Sequence, residues 1–175
     1  MLRAVAMTLV LAAPAAAEET VGRTQISSDG ARGIRFVHVG KGQCRIEAVS
    51  GTEVTWKLEE CVGSIDDLYF ISNDGERFWV LTPLPQKPKG KKVRWDSAVV
   101  ARLFDKEGTL LQVKSLRDLV PPKGREAVRQ LKKHFKWLEG VVDVPGKGPR
   151  VAEGDQVEFE TVDRRTVRLR FASQE

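Results

Sequence analysis

Apolar and polar residues alternate in the first half of the chain. In Cys44–Ala48 every second residue is apolar, which is the period of a β-strand with one buried face. The next run presents Val54, Trp56 and Leu58 on one face. The segment Ser50–Thr52 between the two runs contains a glycine, which adopts a positive φ at little steric cost. The pattern therefore predicts a β-hairpin.

The same alternation predicts another hairpin near the C-terminus. Apolar residues alternate with charged ones in two runs that contain Val157, Phe159, Val167, Leu169 and Phe171. With Asp163–Arg165 as the turn, Phe159 faces Leu169 and Glu160 faces Arg168. Apolar pairs and ion pairs then fall in register together.

A different spacing predicts a helix over residues 122–138. Four apolar residues recur at intervals of three, four and three positions: Val128, Leu131, Phe135 and Leu138. That spacing places them on one face of an α-helix. Pro122 suits the start of this helix and Gly140 its end. The opposite side is basic and carries Arg125, Arg129, Lys132, Lys133 and Lys136.

Two segments of the chain are nearly the same and predict an internal repeat. Ile26–Gly30 and Ile71–Gly75 both have an Ile-Ser-x-Asp-Gly pattern, in which Asp-Gly is a strong signal for a turn between strands. Each copy is followed by strand-like runs that are joined by a Gly-containing turn. The repeated units cover residues 24–64 and 69–118, and the C-terminal hairpin covers 156–171.

This repeat resembles the blades of WD40-like β-propellers, which have a period of 40–50 residues. The likeness covers about 90 residues, from Thr24 to Leu116. The chain also resembles small exported bacterial proteins built from blade-like units. A closed propeller needs at least about four blades, whereas this chain holds two units and one hairpin. The expected fold is mainly β, with antiparallel blade-like sheets packed as a partial propeller or sandwich and one amphipathic helix.

The first seventeen residues have the layout of a secretory signal peptide. A basic start, Met1–Arg3, precedes an apolar stretch of about ten residues and the small residues Ala15–Ala17, so cleavage is expected before Glu18. Residues 18–175 then form a single β-rich domain that is periplasmic or secreted. The apolar stretch is too short to span a membrane, which takes about 20 residues.

The chain has two cysteines, Cys44 and Cys61. An even number of cysteines in an exported protein indicates a disulfide. Folding the hairpin about its turn brings both residues to its open end, which agrees with this pairing. A redox pair or a metal site is less well supported, because the spacing and the few other ligands do not suit either.

The formal net charge is +5 at pH 7, and the cations of the predicted helix suggest a contact surface for an acidic partner. The alternative is an ordinary surface helix whose apolar side packs on the sheet and whose basic side is only solvated. Lys91 and Lys92, in the segment after Gln86, could extend this surface. Nucleic acid is not expected, because Trp95 is the only aromatic residue near those lysines. The expected partner is an envelope protein or an acidic surface.

The sequence contains no motif that specifies a reaction, and no cofactor or metal is expected. Asp29 and Asp74 are interpreted as turn residues rather than calcium ligands. The predicted function is that of an exported, non-enzymatic binding or scaffold module. Two alternatives are a subunit that completes a β assembly with itself or another chain, and a hydrolase whose pocket collects Asp66, Glu60 or His38.

Overall fold

A single antiparallel meander accounts for most of the first half of the molecule. The computed structural model describes residues 19–40, 42–87, 94–140 and 148–172, and the expected signal peptide lies outside them. The strands of this first sheet are β1 (Thr20–Val21), β2 (Gln25–Ile26), β3 (Gly33–Gly40), β4 (Gln43–Ser50) and β5 (Glu53–Leu58). Both β1 and β2 pair with β3, and the order continues through β4 to β5. The hairpin predicted from the alternation around Cys44 is thereby confirmed.

A second meander repeats the strand order of the first. It contains β6 (Leu68–Ile71), β7 (Arg77–Leu81), β8 (Val99–Asp105) and β9 (Leu110–Ser115), which pair in sequence order. A one-turn helix, α1 (Leu116–Leu119), follows β9, and Ser115 and Asp118 form a capping box at its start.

The second sheet lies between two hydrophobic cores, because successive side chains of a strand point to opposite faces. Phe78 and Val80 of β7 pack with the first sheet, in a core that includes Ile34 and Ile46. Trp79, on the other face of β7, packs in a larger core with the C-terminal part of the chain. Burial on both faces explains why β7 is apolar at four consecutive positions. The expected mainly β, sandwich-like fold is confirmed.

The third sheet is C-terminal and has three strands. These are β12 (Arg150–Ala152), β13 (Gln156–Glu160) and β14 (Thr166–Arg170), with β13 in the centre. The predicted register was wrong by two residues, since Phe159 is opposite Val167 and Glu160 is opposite Thr166. The alternation could not detect this shift, because moving a strand by two residues leaves each side chain on the same face.

The predicted helix over 122–138 is wrong. This segment forms a 3-10 helix at Pro122–Ala127 and then two short paired strands, β10 (Arg129–Gln130) and β11 (Phe135–Lys136). Phe135 and Trp137 are both fully buried. Residues two positions apart on a helix point in nearly opposite directions, so a helix would have exposed one of these rings, whereas an extended chain buries both. Among the described residues, no helix has the length and apolar character needed to span a membrane.

The disulfide prediction is confirmed, because Cys44 and Cys61 are joined. Their Cα atoms are 5.3 Å apart, at the open end of the β4–β5 hairpin. A disulfide is typical of proteins that fold in an oxidising compartment, which is compatible with export.

The Ser-x-Asp-Gly segments form two copies of one turn. The Ser27 hydroxyl donates to Asp29 Oδ1 at 2.6 Å, and the Ser72 hydroxyl donates to Asp74 Oδ1 at 2.5 Å. The glycine after each aspartate has a positive φ, which closes the turn without steric strain. Each aspartate thus stabilises its own turn by a hydrogen bond.

A related turn connects β13 to β14, and the sequence comparison missed it. The Thr161 hydroxyl donates to Asp163, and Arg164 N donates to Thr161 O. Arg164 has a φ of 61° and occupies the place of the glycine. The pattern Thr-Val-Asp-Arg has neither the serine nor the glycine, so the turn is identified by its geometry: the hydroxyl–carboxylate contact, the backbone hydrogen bond and the positive φ.

Candidate functional site

The two strands β10 and β11 form a short hairpin with a strongly basic exterior. Its turn is tight, since Leu131 N donates to His134 O at 2.9 Å. Arg129 lies opposite Lys136 in the register, and Lys132 and Lys133 occupy the turn. Like charges directly opposite each other destabilise a strand pair, so this arrangement does not serve the stability of the hairpin itself. Residues 129–136 are called the basic hairpin below.

Contacts with the core and with a neighbouring segment hold the basic hairpin in place. Phe135 is fully buried and packs against Trp95 with ring centroids 5.3 Å apart. Lys87 N donates to Lys133 O at 2.9 Å, and Phe135 N donates to Pro85 O at 3.1 Å. Residues 85–87 therefore run beside β11 as a third, irregular strand, and the outer side chains project from a supported backbone.

The four exposed cations of the basic hairpin are unpaired within the described ranges. Arg129, Lys132, Lys133 and Lys136 make no side-chain hydrogen bond or ion pair there. Nine cations elsewhere in the described part of the chain have carboxylate partners: Arg35, Arg45, Arg94, Arg102, Lys106, Arg125, Arg150, Arg165 and Arg168. Other exposed cations, such as Lys57, Arg117 and Arg170, also lack an ion pair there, but they lie apart in sequence, whereas the hairpin places four within eight residues. The positive charge of the hairpin is thus directed to solvent.

Arg125 is part of a separate ion-pair network. Its Nη1 atom lies 2.8 Å from Asp96 Oδ2, and its Nε donates to Val120 O at 3.3 Å. Asp96 is buried and also accepts two hydrogen bonds from Arg94. The Arg94 hydrogen bonds hold the pKa of Asp96 below its usual range although burial opposes this. Arg125 thus anchors the 3-10 helix at Pro122–Ala127 and is not part of the basic hairpin. The predicted site residues Lys91 and Lys92 lie outside the described ranges.

We expect Asp96→Asn to lower the free energy of unfolding by about 2 kcal/mol, because it leaves Arg125 without a charged partner at a partly buried site. Urea unfolding of the two proteins measures this difference. Asp66→Asn is the matched control, since Asp66 is exposed and its replacement should change stability by less than about 0.5 kcal/mol. Equal stability of the wild type and Asp96→Asn would show that the network does not support the fold.

An open cleft of about 590 Å³ lies beside the basic hairpin, and its lining includes Ser64, Asp66, Asp67 and His134. His134 Nδ1 donates to Leu84 O at 3.0 Å, since a carbonyl can only accept. In the described part of the chain the Ser64 hydroxyl has no imidazole or carboxylate partner, so the cleft brings together no nucleophile and base. Of the residues expected in a hydrolase pocket, only Asp66 lines it; Glu60 and His38 do not.

Three aspartates approach one another where the turns meet. Asn73 connects these turns, because its side-chain oxygen accepts from Ser28 Oγ at 2.9 Å and its N–H donates to Asp155 Oδ1 at 2.9 Å. Asp29 and Asp74 already bond within their own turns. The described residues include no group of three or more His, Cys, Asp or Glu side chains that could hold a metal ion.

Burial raises the pKa of Asp155, and the charges of Asp74 and Asp29 raise it further. The folded protein therefore holds this proton more tightly than the unfolded chain does. The pKa of this carboxyl is near 3.8 in the unfolded chain and higher in the folded protein. The free energy of unfolding therefore falls as the pH rises through this interval, and it stays lower at neutral pH.

Asp155→Asn should raise the Tm by about 2 °C at pH 7. Asparagine tolerates the positive φ of 52° at this position and keeps an acceptor for Asn73, but it removes the repelled charge. Thermal unfolding followed by circular dichroism should show the gain at pH 7 and none below a pH of about 3, where the carboxyl is protonated in both states. A lower Tm at pH 7 would contradict this account.

No family model, curated protein or solved structure matches this chain. The basic hairpin is therefore interpreted from its own geometry. Sequence reasoning identified four of its cations but placed them on a helix. It expected the loop that begins at Gln86 to join the contact surface. It missed the exposure of Leu131 and the position of Leu84 and Pro85 beside the hairpin, which lie far from it in sequence and have no recognisable motif.

Proposed function

We propose that this protein is an exported, non-enzymatic binding module of the bacterial envelope, and that the basic hairpin contacts an acidic partner. The observation that carries the proposal is the group of four exposed cations without a carboxylate partner in the described part of the chain. Complementary charge accelerates association and selects acidic surfaces over basic ones. The signal-peptide pattern and the disulfide support a location outside the cytoplasm.

An affinity capture from envelope extract tests this proposal. The protein without residues 1–17 is immobilised beside a variant that carries Arg129→Glu, Lys132→Glu and Lys133→Glu. A matched control carries Lys57→Glu, Arg117→Glu and Arg170→Glu, three exposed cations on other parts of the surface. Both variants have the same net charge, so they differ only in where the charge is reversed.

We expect the wild type and the control to retain the same acidic components. The hairpin variant should retain smaller amounts of them, by a factor of about ten or more. Reduced binding at high ionic strength should accompany this result, because exposed charges are screened. Equal loss in both variants would indicate a response to net charge alone and would contradict a contact at the hairpin. Equal retention by all three proteins would also contradict it.

A second candidate function is that of a subunit that completes a β assembly through an open sheet edge. The last strand of the second sheet, β9, pairs only with β8 in the described structure. Its residues Leu110, Leu111 and Val113 are exposed, and such an edge can add a strand from another chain. Light scattering over a range of protein concentrations tests self-assembly, and replacing Leu111 and Val113 by lysine should abolish any mass above that of the monomer.

A further inference from the structure

The tip of the basic hairpin combines positive charge with exposed aliphatic side chains. Leu131 is 41% exposed and Leu84 is 51% exposed. His134 connects the two leucines. Its ring Nδ1–H donates to Leu84 O, and its backbone carbonyl oxygen accepts from Leu131 N. The two leucines are therefore held on connected backbone beside Lys132 and Lys133, rather than on separate parts of the surface.

We propose that this tip docks on an anionic lipid bilayer, with Leu84 and Leu131 entering the interface and the hairpin cations contacting lipid phosphates. This inference rests on the proposed function and names the acidic partner. Short apolar groups surrounded by Lys and Arg are typical of protein segments that lie at a membrane surface. Basic residues next to such a surface are attracted by anionic headgroups.

The distribution of aromatic residues favours a lipid surface over a protein partner. Strong protein–protein contacts depend on a few aromatic or arginine anchors that fill pockets. Phe135 and Trp137 are fully buried in the core and are unavailable as anchors. Trp95 is partly buried and packs against Phe135. The exposed groups at the tip are the flexible Lys132 and Lys133 and the two leucines, and Arg129 is the one exposed arginine of the hairpin. This set matches a fluid anionic surface better than a shaped pocket.

Lys87 also fits this arrangement. Its ammonium group lies over the Phe135 ring, 5.6 Å from the centroid, and its backbone is bonded to Lys133. Because Lys87 lies against a ring at the base of the hairpin, it adds positive charge beside the tip rather than at its end. The charge thus extends around the leucines.

Sedimentation with lipid vesicles tests the inference. The protein without residues 1–17 is mixed with vesicles of phosphatidylglycerol and phosphatidylcholine, with vesicles of phosphatidylcholine alone, and with soluble polyglutamate. The first variant carries Arg129→Glu, Lys132→Glu and Lys133→Glu, and the second carries Leu84→Ser and Leu131→Ser. The control variant carries Lys57→Glu, Arg117→Glu and Arg170→Glu.

We expect binding to the anionic vesicles and none to the neutral ones. The hairpin charge variant should lose about 100-fold or more in partitioning, since each cation near an anionic membrane contributes several-fold. The leucine variant should lose about tenfold on vesicles but bind polyglutamate as well as the wild type does. The control variant should retain most of the vesicle binding.

The two proposals fail in distinguishable ways. Hairpin-dependent binding of polyglutamate without binding of anionic vesicles would overturn the lipid inference and leave the proposed function in place, with an acidic protein as the partner. Failure to bind either probe would overturn both. Vesicle binding that is unchanged in the leucine variant would overturn insertion of the leucines into the interface.

Discussion

Replacement of Trp79 by alanine should lower the free energy of unfolding by about 3–5 kcal/mol. Trp79 is fully buried in the larger core, and its Nε1 donates to Arg170 O of β14 at 3.1 Å. The variant leaves a cavity between the second and third sheets and also leaves the Arg170 carbonyl without this donor. Urea unfolding of the purified proteins measures the loss.

Two further variants keep this prediction informative if Trp79→Ala does not fold. Trp79→Phe retains most of the ring and removes the indole donor, so it should cost about 1–2 kcal/mol. Trp56→Ala is the comparison on the edge strand β5, where the ring is half-buried and its Nε1 donates to Gly75 O. Trp56→Ala should cost clearly less than Trp79→Ala, and the reverse order would contradict the packing of the third sheet on the second.

Removal of the disulfide by the double change Cys44→Ala and Cys61→Ala should lower the free energy of unfolding by about 3 kcal/mol. The bond joins residues 17 positions apart, and its main effect is to restrict the unfolded chain. Chemical denaturation of the double variant, and of the wild type with and without a reductant, measures this effect.

The reduced wild type should match the double variant, because both lack the same crosslink. The folded spectra should remain alike, since the flanking strands β4 and β5 are held by their own pairing. A loss below about 1 kcal/mol in the double variant would show that the unfolded chain is already compact around this loop.

The sequence predicted strands reliably where one face is buried and the alternation is clear. The segments around Cys44 and Val157 are such cases, because a period of two belongs only to extended chain. The prediction of a helix over 122–138 was wrong for a related reason. Its helical spacing included Leu131, which is exposed, whereas the adjacent alternation of Phe135 and Trp137 determined the fold.

The candidate site could be predicted only in part, because unpaired charge is a tertiary property. Four cations within eight residues stay close together in a helix or a hairpin, so Arg129 and its neighbours were identified despite the wrong element. Arg125 resembles them in sequence, but it finds Asp96 across the fold. The contribution of Leu84 depends on a hydrogen bond to His134 that no local pattern indicates.

Amine footprinting of the protein bound to native envelope vesicles tests the central claim most directly. An acetylating reagent labels exposed lysines, and mass spectrometry compares the free and the bound protein at each position. We predict that Lys132, Lys133 and Lys136 become protected about fivefold or more, while Lys57 and Lys114 keep their labelling. Protection at Lys57 or Lys114 without protection of the hairpin lysines would contradict the account.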